Sequence, residues 1–86
     1  MINVTINTTI GNKARRPQHF TAPDRTAALD TINKNIRDLT QAYFRQAGLA
    51  LDTVTTSDDG STITLDLTPA ITLFNPARVI YNMREV

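Results

Sequence analysis

The sequence contains no cysteine, one histidine and only three glycines in 86 residues. Without cysteine there is no disulfide framework and no thiolate chemistry, which fits a cytoplasmic protein. One histidine without cysteine gives no zinc ligand set, and three scattered glycines do not form a phosphate-binding loop. No apolar run approaches the ~18 residues of a membrane span. Met1–Ile10 alternates polar and aliphatic residues, so it is not a signal peptide.

Few residues are suited to catalysis. The only serines are Ser57 and Ser61, both in the acidic turn, so no nucleophile motif accompanies His19. We interpret Asp58-Asp59-Gly60 as a turn, because it lacks the ligand spacing of a calcium loop. We therefore expect a protein that is not an enzyme and that has no catalytic residue, metal site or cofactor.

One amphipathic helix, over about residues 22–47, organises the chain. It is predicted by apolar residues at spacings of 3, 4, 3 and 4, with polar residues on the opposite face. Thr21 or Asp24 is its predicted N-cap, and Gly48 is predicted to end it. We expect the stripe to pack on a sheet rather than in a coiled coil, although an overhanging helix end leaves a homodimer open. The stripe consists of Leu29, Ile32, Ile36, Leu39 and Tyr43.

Two strands are predicted before the helix. Ile2–Ile10 alternates aliphatic with polar residues, as a half-buried strand does. A turn at Gly11-Asn12 follows. Lys13–Phe20 then returns as an edge strand or an irregular arm, because Pro17 has no amide to donate to a sheet. Phe20 is expected to enter the core just before the helix.

Two further strands are predicted after the helix. The first runs from Leu49 to Thr56, and its apolar face shifts between Leu51 and Val54. Either a bulge re-aims the chain there, or Val54 lies on the second face of the strand. A turn at residues 57–60 leads to the second, whose core face is Ile63, Leu65 and Leu67.

The C-terminal segment supports two predictions. Ala70–Phe74 is a candidate short strand, and Asn75-Pro76 is typical of a helix start, which favours a short helix over 76–84. The rival prediction is a terminal strand through Arg78–Tyr81.

The predicted fold is therefore a single α+β domain over residues 1–86, in the order β-β-α-β-β(-α). It has an antiparallel or mixed sheet with one long helix packed on one face. This element order resembles the ubiquitin-like β-grasp layout. The resemblance carries no residue motif and implies no function.

Charge is segregated along the chain despite a net charge of only +1. Residues 13–45 contain seven basic and three acidic residues, a net +4, whereas residues 46–77 contain four acidic and no basic residues, a net −4. Either the two regions lie apart and give the molecule a dipole, or they face each other and pair.

The best candidate contact surface is the basic segment Lys13–Phe20. Cations beside an aromatic ring suit phosphates and bases or an acidic protein surface, although charges on a proline-bearing edge also protect it from aggregation. The partner-binding residues predicted from this segment and the helix are Lys13, Arg15, Arg16, His19, Phe20, Arg25 and Arg37.

Small size, segregated charge and the lack of catalytic residues favour a non-enzymatic protein-binding module. Such short chains look like accessory proteins of phages and other mobile elements, which often act as inhibitors of a host protein such as a defence nuclease. One alternative is a nucleic-acid-binding regulatory protein that uses Lys13–Phe20, and another is a small structural subunit of a larger assembly. No membrane partner is expected.

Overall fold

In a computed structural model of the chain, the residues described are 1–47, 49–69 and 75–86, with side chains outside 43–52. These residues form one helix and one six-stranded sheet, which confirms the predicted α+β class. The elements in chain order are β1 (Ile2–Ile10), β2 (Lys13–Ala14), β3 (Gln18–Ala22), α1 (Arg25–Ala47), β4 (Leu49–Thr56), β5 (Thr62–Pro69) and β6 (Ala77–Glu85).

Every neighbouring pair of strands in the sheet is antiparallel. The short strands β2 and β3 lie along the outer side of β1, and β6, β5 and β4 follow on its other side. The return after Gly11-Asn12 is thus an edge, as Pro17 predicted, but it forms two short strands rather than one. The described residues therefore form three strands before the helix in sequence and three after it. The likeness to the β-grasp layout is limited to one helix over one sheet.

The C-terminal segment corrects the favoured helix prediction. Residues Ala77–Glu85 form β6, which pairs with β1 on one side and β5 on the other. Ala77, Val79 and Tyr81 all point into the core, a period of two that only a strand provides. The start signal at Asn75-Pro76 is outweighed because both neighbouring strands need hydrogen-bond partners along this line. The candidate strand Ala70–Phe74 lies outside the described residues.

Helix α1 begins at Arg25, close to the predicted start. The Asp24 carboxylate accepts a hydrogen bond from the Ala27 amide at 2.8 Å, so Asp24 is the N-cap, as the second of the two predictions had it. Thr21 belongs to β3 instead. Gly48, the predicted end, lies outside the described residues.

The core lies between α1 and one face of the sheet. Alternate residues of β1, β5 and β6 point to this face, and Ala28 and Ile32 from the helix are fully buried against it. Leu29, Ile36 and Leu39 of the predicted stripe are half-buried and pack around them, which confirms packing on the sheet. The buried set is Val4, Ile6, Ala22, Ala28, Ile32, Ile63, Leu65, Leu67, Ala77, Val79 and Tyr81.

The β4–β5 hairpin has the predicted bulge and turn. Its register shifts between Leu51 and Thr53, so that Val54 lies opposite Leu65. At the turn, Gly60 has a φ of 72°, and a Cβ there would meet the Arg25 guanidinium. Glycine is therefore favoured at this position both by backbone conformation and by the closeness of the helix start.

Candidate functional site

Three cations line the outer side of the sheet beside β1. Lys13 lies in β2 opposite Ile10, and the Arg15 amide donates to the Thr8 carbonyl at 2.7 Å. Arg16 follows, next to Pro17, where the edge is interrupted between β2 and β3. We call Lys13, Arg15 and Arg16 the basic edge.

The cations of the basic edge face solvent. All three side chains are exposed, and none forms an ion pair or a side-chain hydrogen bond with another described residue. A depression of about 590 Å³ lies beside Lys13 and Arg15, and Ile10 and Asn75 also line it. A surface with clustered cations attracts carboxylates or phosphates.

Asn75 is a member of this depression that sequence reasoning missed. It comes to the β1–β2 turn because the Gly11 amide donates to the Pro76 carbonyl at 2.9 Å. Gly11 has a φ of 60°, and a Cβ at Gly11 would lie 2.9 Å from the Asn75 side chain. The contact joins residues more than sixty positions apart, so no local pattern indicates it.

His19 and Phe20 lie on opposite faces of β3, because side chains alternate along a strand. The His19 Nδ1 is 3.3 Å from the Thr5 hydroxyl on the face away from the helix. Phe20 is half-buried and packs against the core on the helix side, as predicted. The phenyl ring of Phe20 is therefore turned away from His19.

Arg25 and Arg37 lie on α1 rather than at the sheet edge. The Arg25 guanidinium donates to the Gly60 carbonyl at 2.7 Å, and so ties the helix start to the β4–β5 turn. Arg37 is exposed on the helix surface. The structure thus brings Lys13, Arg15 and Arg16 together along one edge, with His19 further along it, and places Phe20, Arg25 and Arg37 elsewhere.

The acidic turn lies across the sheet from the basic edge. Asp58 and Asp59 are exposed in the turn after β4, which is the outer strand on the other side. Four strand spacings of ~4.8 Å separate the two outer strands, roughly 19 Å in all. The basic edge and the acidic turn therefore lie apart, which leaves an electrostatic dipole across the sheet.

The Asp59 carboxylate is held by its own turn. Its Oδ1 accepts hydrogen bonds from the Ser57 hydroxyl at 2.7 Å, the Ser61 hydroxyl at 2.8 Å and the Ser61 amide at 3.0 Å. These donors lower the pKa of Asp59 to about 2, because they favour the charged form. Asp59 is thus a structural carboxylate and stays ionised at neutral pH.

The sheet face away from the helix is polar. The Arg78 Nε donates to the Asp66 Oδ1 across β5 and β6 at 2.7 Å, the one ion pair among the described residues. Such an exposed pair contributes little to stability. The rest of this face is rich in threonine and asparagine, including Asn3, Thr5, Asn7, Thr9, Thr62, Thr64 and Asn82.

The chain matches no family model, and no curated protein or solved structure is significantly similar to it. Within the described ranges, no three His, Asp or Glu side chains cluster so that they could hold a metal ion. None of the described helical residues forms a segment that is long and apolar enough to cross a membrane.

Proposed function

We propose that this chain is a non-enzymatic protein-binding module that docks an acidic surface of a partner protein onto the basic edge. The observation that carries the proposal is the set of three exposed cations on one edge of the sheet, Lys13, Arg15 and Arg16, which form no ion pair with the described residues. Cations of this kind steer a complementary surface and set its orientation. The acidic turn on the far edge adds to the steering, because it repels an acidic partner that approaches from that side.

In this proposal the module acts by binding alone, without a catalytic step. It belongs with the accessory proteins of phages and other mobile elements, and it blocks a host protein, such as a defence nuclease complex, by covering its surface. The small size of the chain supports a role in which a rigid scaffold presents one contact surface.

The nucleic-acid alternative has less support from the geometry. It relied on an aromatic ring next to the cations, because base stacking supplies much of the affinity for single strands. Phe20 packs against the core and is not presented beside the basic edge. The experiment below includes an arm for this alternative.

The proposal is tested by capture from a lysate of the source cell with the tagged wild-type chain and an Arg15→Glu/Arg16→Glu variant, with and without nuclease. We expect wild type to retain a protein in stoichiometric amount after nuclease, and the variant to bind that protein at least about tenfold more weakly, since two attractive charges become repulsive.

A matched control carries the same change in charge elsewhere. Lys34 on the helix and Arg84 in β6 are both exposed, and a Lys34→Glu/Arg84→Glu variant should bind like wild type. Equal affinity of a folded Arg15→Glu/Arg16→Glu variant would refute the role of the basic edge. If nuclease released all bound protein, the nucleic-acid alternative would replace the proposal.

A further inference from the structure

Strand β4 is the outer strand on the side away from the basic edge, and the described residues pair it with β5 alone. The Ser57 amide donates to the Thr62 carbonyl at 2.9 Å, so these two residues form a hydrogen-bonded pair. Because such pairs alternate along an antiparallel ladder, Thr55 and Thr53 also direct their peptide groups towards β5. The peptide groups of Val54 and Thr56 therefore point outwards, and no strand among the described residues lies beside them.

The outer side of β4 is unprotected over residues Thr53–Thr56, which we call the β4 edge. Natural edges are usually protected by charge, proline or a bulge. The bulge precedes this segment in sequence, between Leu51 and Thr53, and the segment itself contains only threonine and valine. These β-branched residues favour extended pairing.

Val54 is an exposed large hydrophobic residue in the middle of the chain, within a strand. Its exposed fraction is 48%, and the other two large hydrophobic residues exposed among those described are Met1 and Val86, at the chain ends. Val54 lies opposite Leu65, so it points to the core side of the sheet. It remains exposed there because β4 is the last strand in the described part of the sheet, and an added strand would cover it.

We propose that a second copy of this chain pairs with the first along the β4 edge, antiparallel and related by a two-fold axis, so that the two sheets become continuous. The four facing residues carry no charge, so each segment can face its own copy without repulsion. With the axis at Thr55, Val54 lies opposite Thr56 of the other copy, so that the outward peptide groups face each other. The two acidic turns then lie at opposite ends, roughly 20 Å apart along the strands. That distance exceeds the ~8–10 Å screening length at moderate salt.

The assembly closes at two copies. The other outer side of the sheet is interrupted at Arg16-Pro17, and its two strands are short and flanked by cations. It therefore cannot accept a further strand of the same kind, and the basic edge stays free for the proposed protein partner.

The dimer is expected to be weak. The paired segment is four residues long, which corresponds to an interface at the small end of the specific range. We therefore expect the dimer to form in a concentration-dependent way.

The test is the molar mass of the purified chain, measured by light scattering from about 10 μM to 1 mM. The mass should rise from the 9.5 kDa of one chain towards twice that value. In a Val54→Lys variant, the dissociation constant of the dimer should rise at least about tenfold, because two cations then lie close to each other across the axis. Thr21→Lys places the same charge on the opposite outer strand and should leave the dimer intact.

Amide hydrogen exchange by NMR locates the contact. The amides of Val54 and Thr56 should exchange more slowly as concentration rises, whereas exchange at β3 stays constant. If Val54→Lys failed to fold, Thr56→Pro would replace it, since it removes one outward amide without touching the β5 ladder. A chain that is monomeric at 1 mM, or a dimer that persists in a folded Val54→Lys or Thr56→Pro variant, would overturn the proposal.

Discussion

The Asp59 carboxylate is the clearest residue-scale feature, because three donors from Ser57 and Ser61 converge on one oxygen. Its pKa of about 2 in the folded chain lies below its ordinary value of 3.8. The carboxylate therefore stabilises the fold above about pH 4, and this contribution is lost as the pH falls through about 2. We predict that Asp59→Asn reduces the loss of stability between pH 4 and pH 2, measured as the change in urea midpoint.

Asp58→Asn is the matched control for this prediction. This variant loses the neighbouring carboxylate but keeps the three hydrogen bonds to Asp59. Its urea midpoint should therefore change between pH 4 and pH 2 as that of wild type does. A carbon-detected NMR titration of Asp59 gives an independent check. Titration of Asp59 near pH 4 would contradict the prediction.

The candidate contact residues also show what residue-scale reasoning can reach. The cations Lys13, Arg15 and Arg16 were predicted as a group from their closeness in sequence, and they do lie along one edge. Phe20 shares their segment but packs inward, because β3 must bury one of its two faces. Arg25 was grouped with them by charge, yet its guanidinium binds the Gly60 carbonyl.

At the scale of elements, helix and sheet are joined by a polar contact through the core. The Tyr81 side chain of β6 is fully buried, and its hydroxyl donates to the Asn35 Oδ1 of α1 at 2.5 Å. We predict that Tyr81→Phe lowers the free energy of unfolding by about 1 kcal/mol, because the half-buried Asn35 loses a donor. Urea denaturation measures the change.

A double-mutant cycle with Asn35→Ala isolates this contact from other effects of each substitution. The Tyr81→Phe change should cost less when Asn35 is already alanine. Equal costs in both backgrounds would show that the bond between Tyr81 and Asn35 does not stabilise the fold.

The elements also differ in how far the sequence predicts them. The period of two in β1 and β5 and the 3–4 spacing in α1 are local signals, and all three elements were found where expected. The segment 77–85 carries both a helix-start signal and a period of two, so its local pattern is ambiguous. The segment forms a strand because it pairs with β1 and β5, and the paired residues lie far from it in the sequence.

For the molecule as a whole, β6 holds the two halves of the sheet together. It lies between β1 and β5, and it supplies three fully buried core residues, Ala77, Val79 and Tyr81. We predict that truncation after Pro76 abolishes cooperative thermal unfolding, because domains of this size are stable by only about 5–10 kcal/mol. Circular dichroism against temperature measures the transition.

Truncation after Arg84 is the control, since it removes only the last pair of the β1–β6 ladder, Ile2 with Glu85. This shorter truncation should keep a cooperative transition. Cooperative unfolding of the chain that ends at Pro76 would mean that β6 is dispensable, as a peripheral C-terminal helix would have been.

Local patterns in the sequence are sufficient to predict the class of the fold, the helix, the strands with a clear period of two and the 57–60 turn. These features follow from local spacing of apolar residues and from local backbone preferences. Three other features depend on the packing of strands: 77–85 is a central strand, the basic edge and the acidic turn lie at opposite sides of the sheet, and Val54 is exposed. These depend on which strands lie side by side, and strand pairing joins residues whose separation along the chain no local pattern encodes.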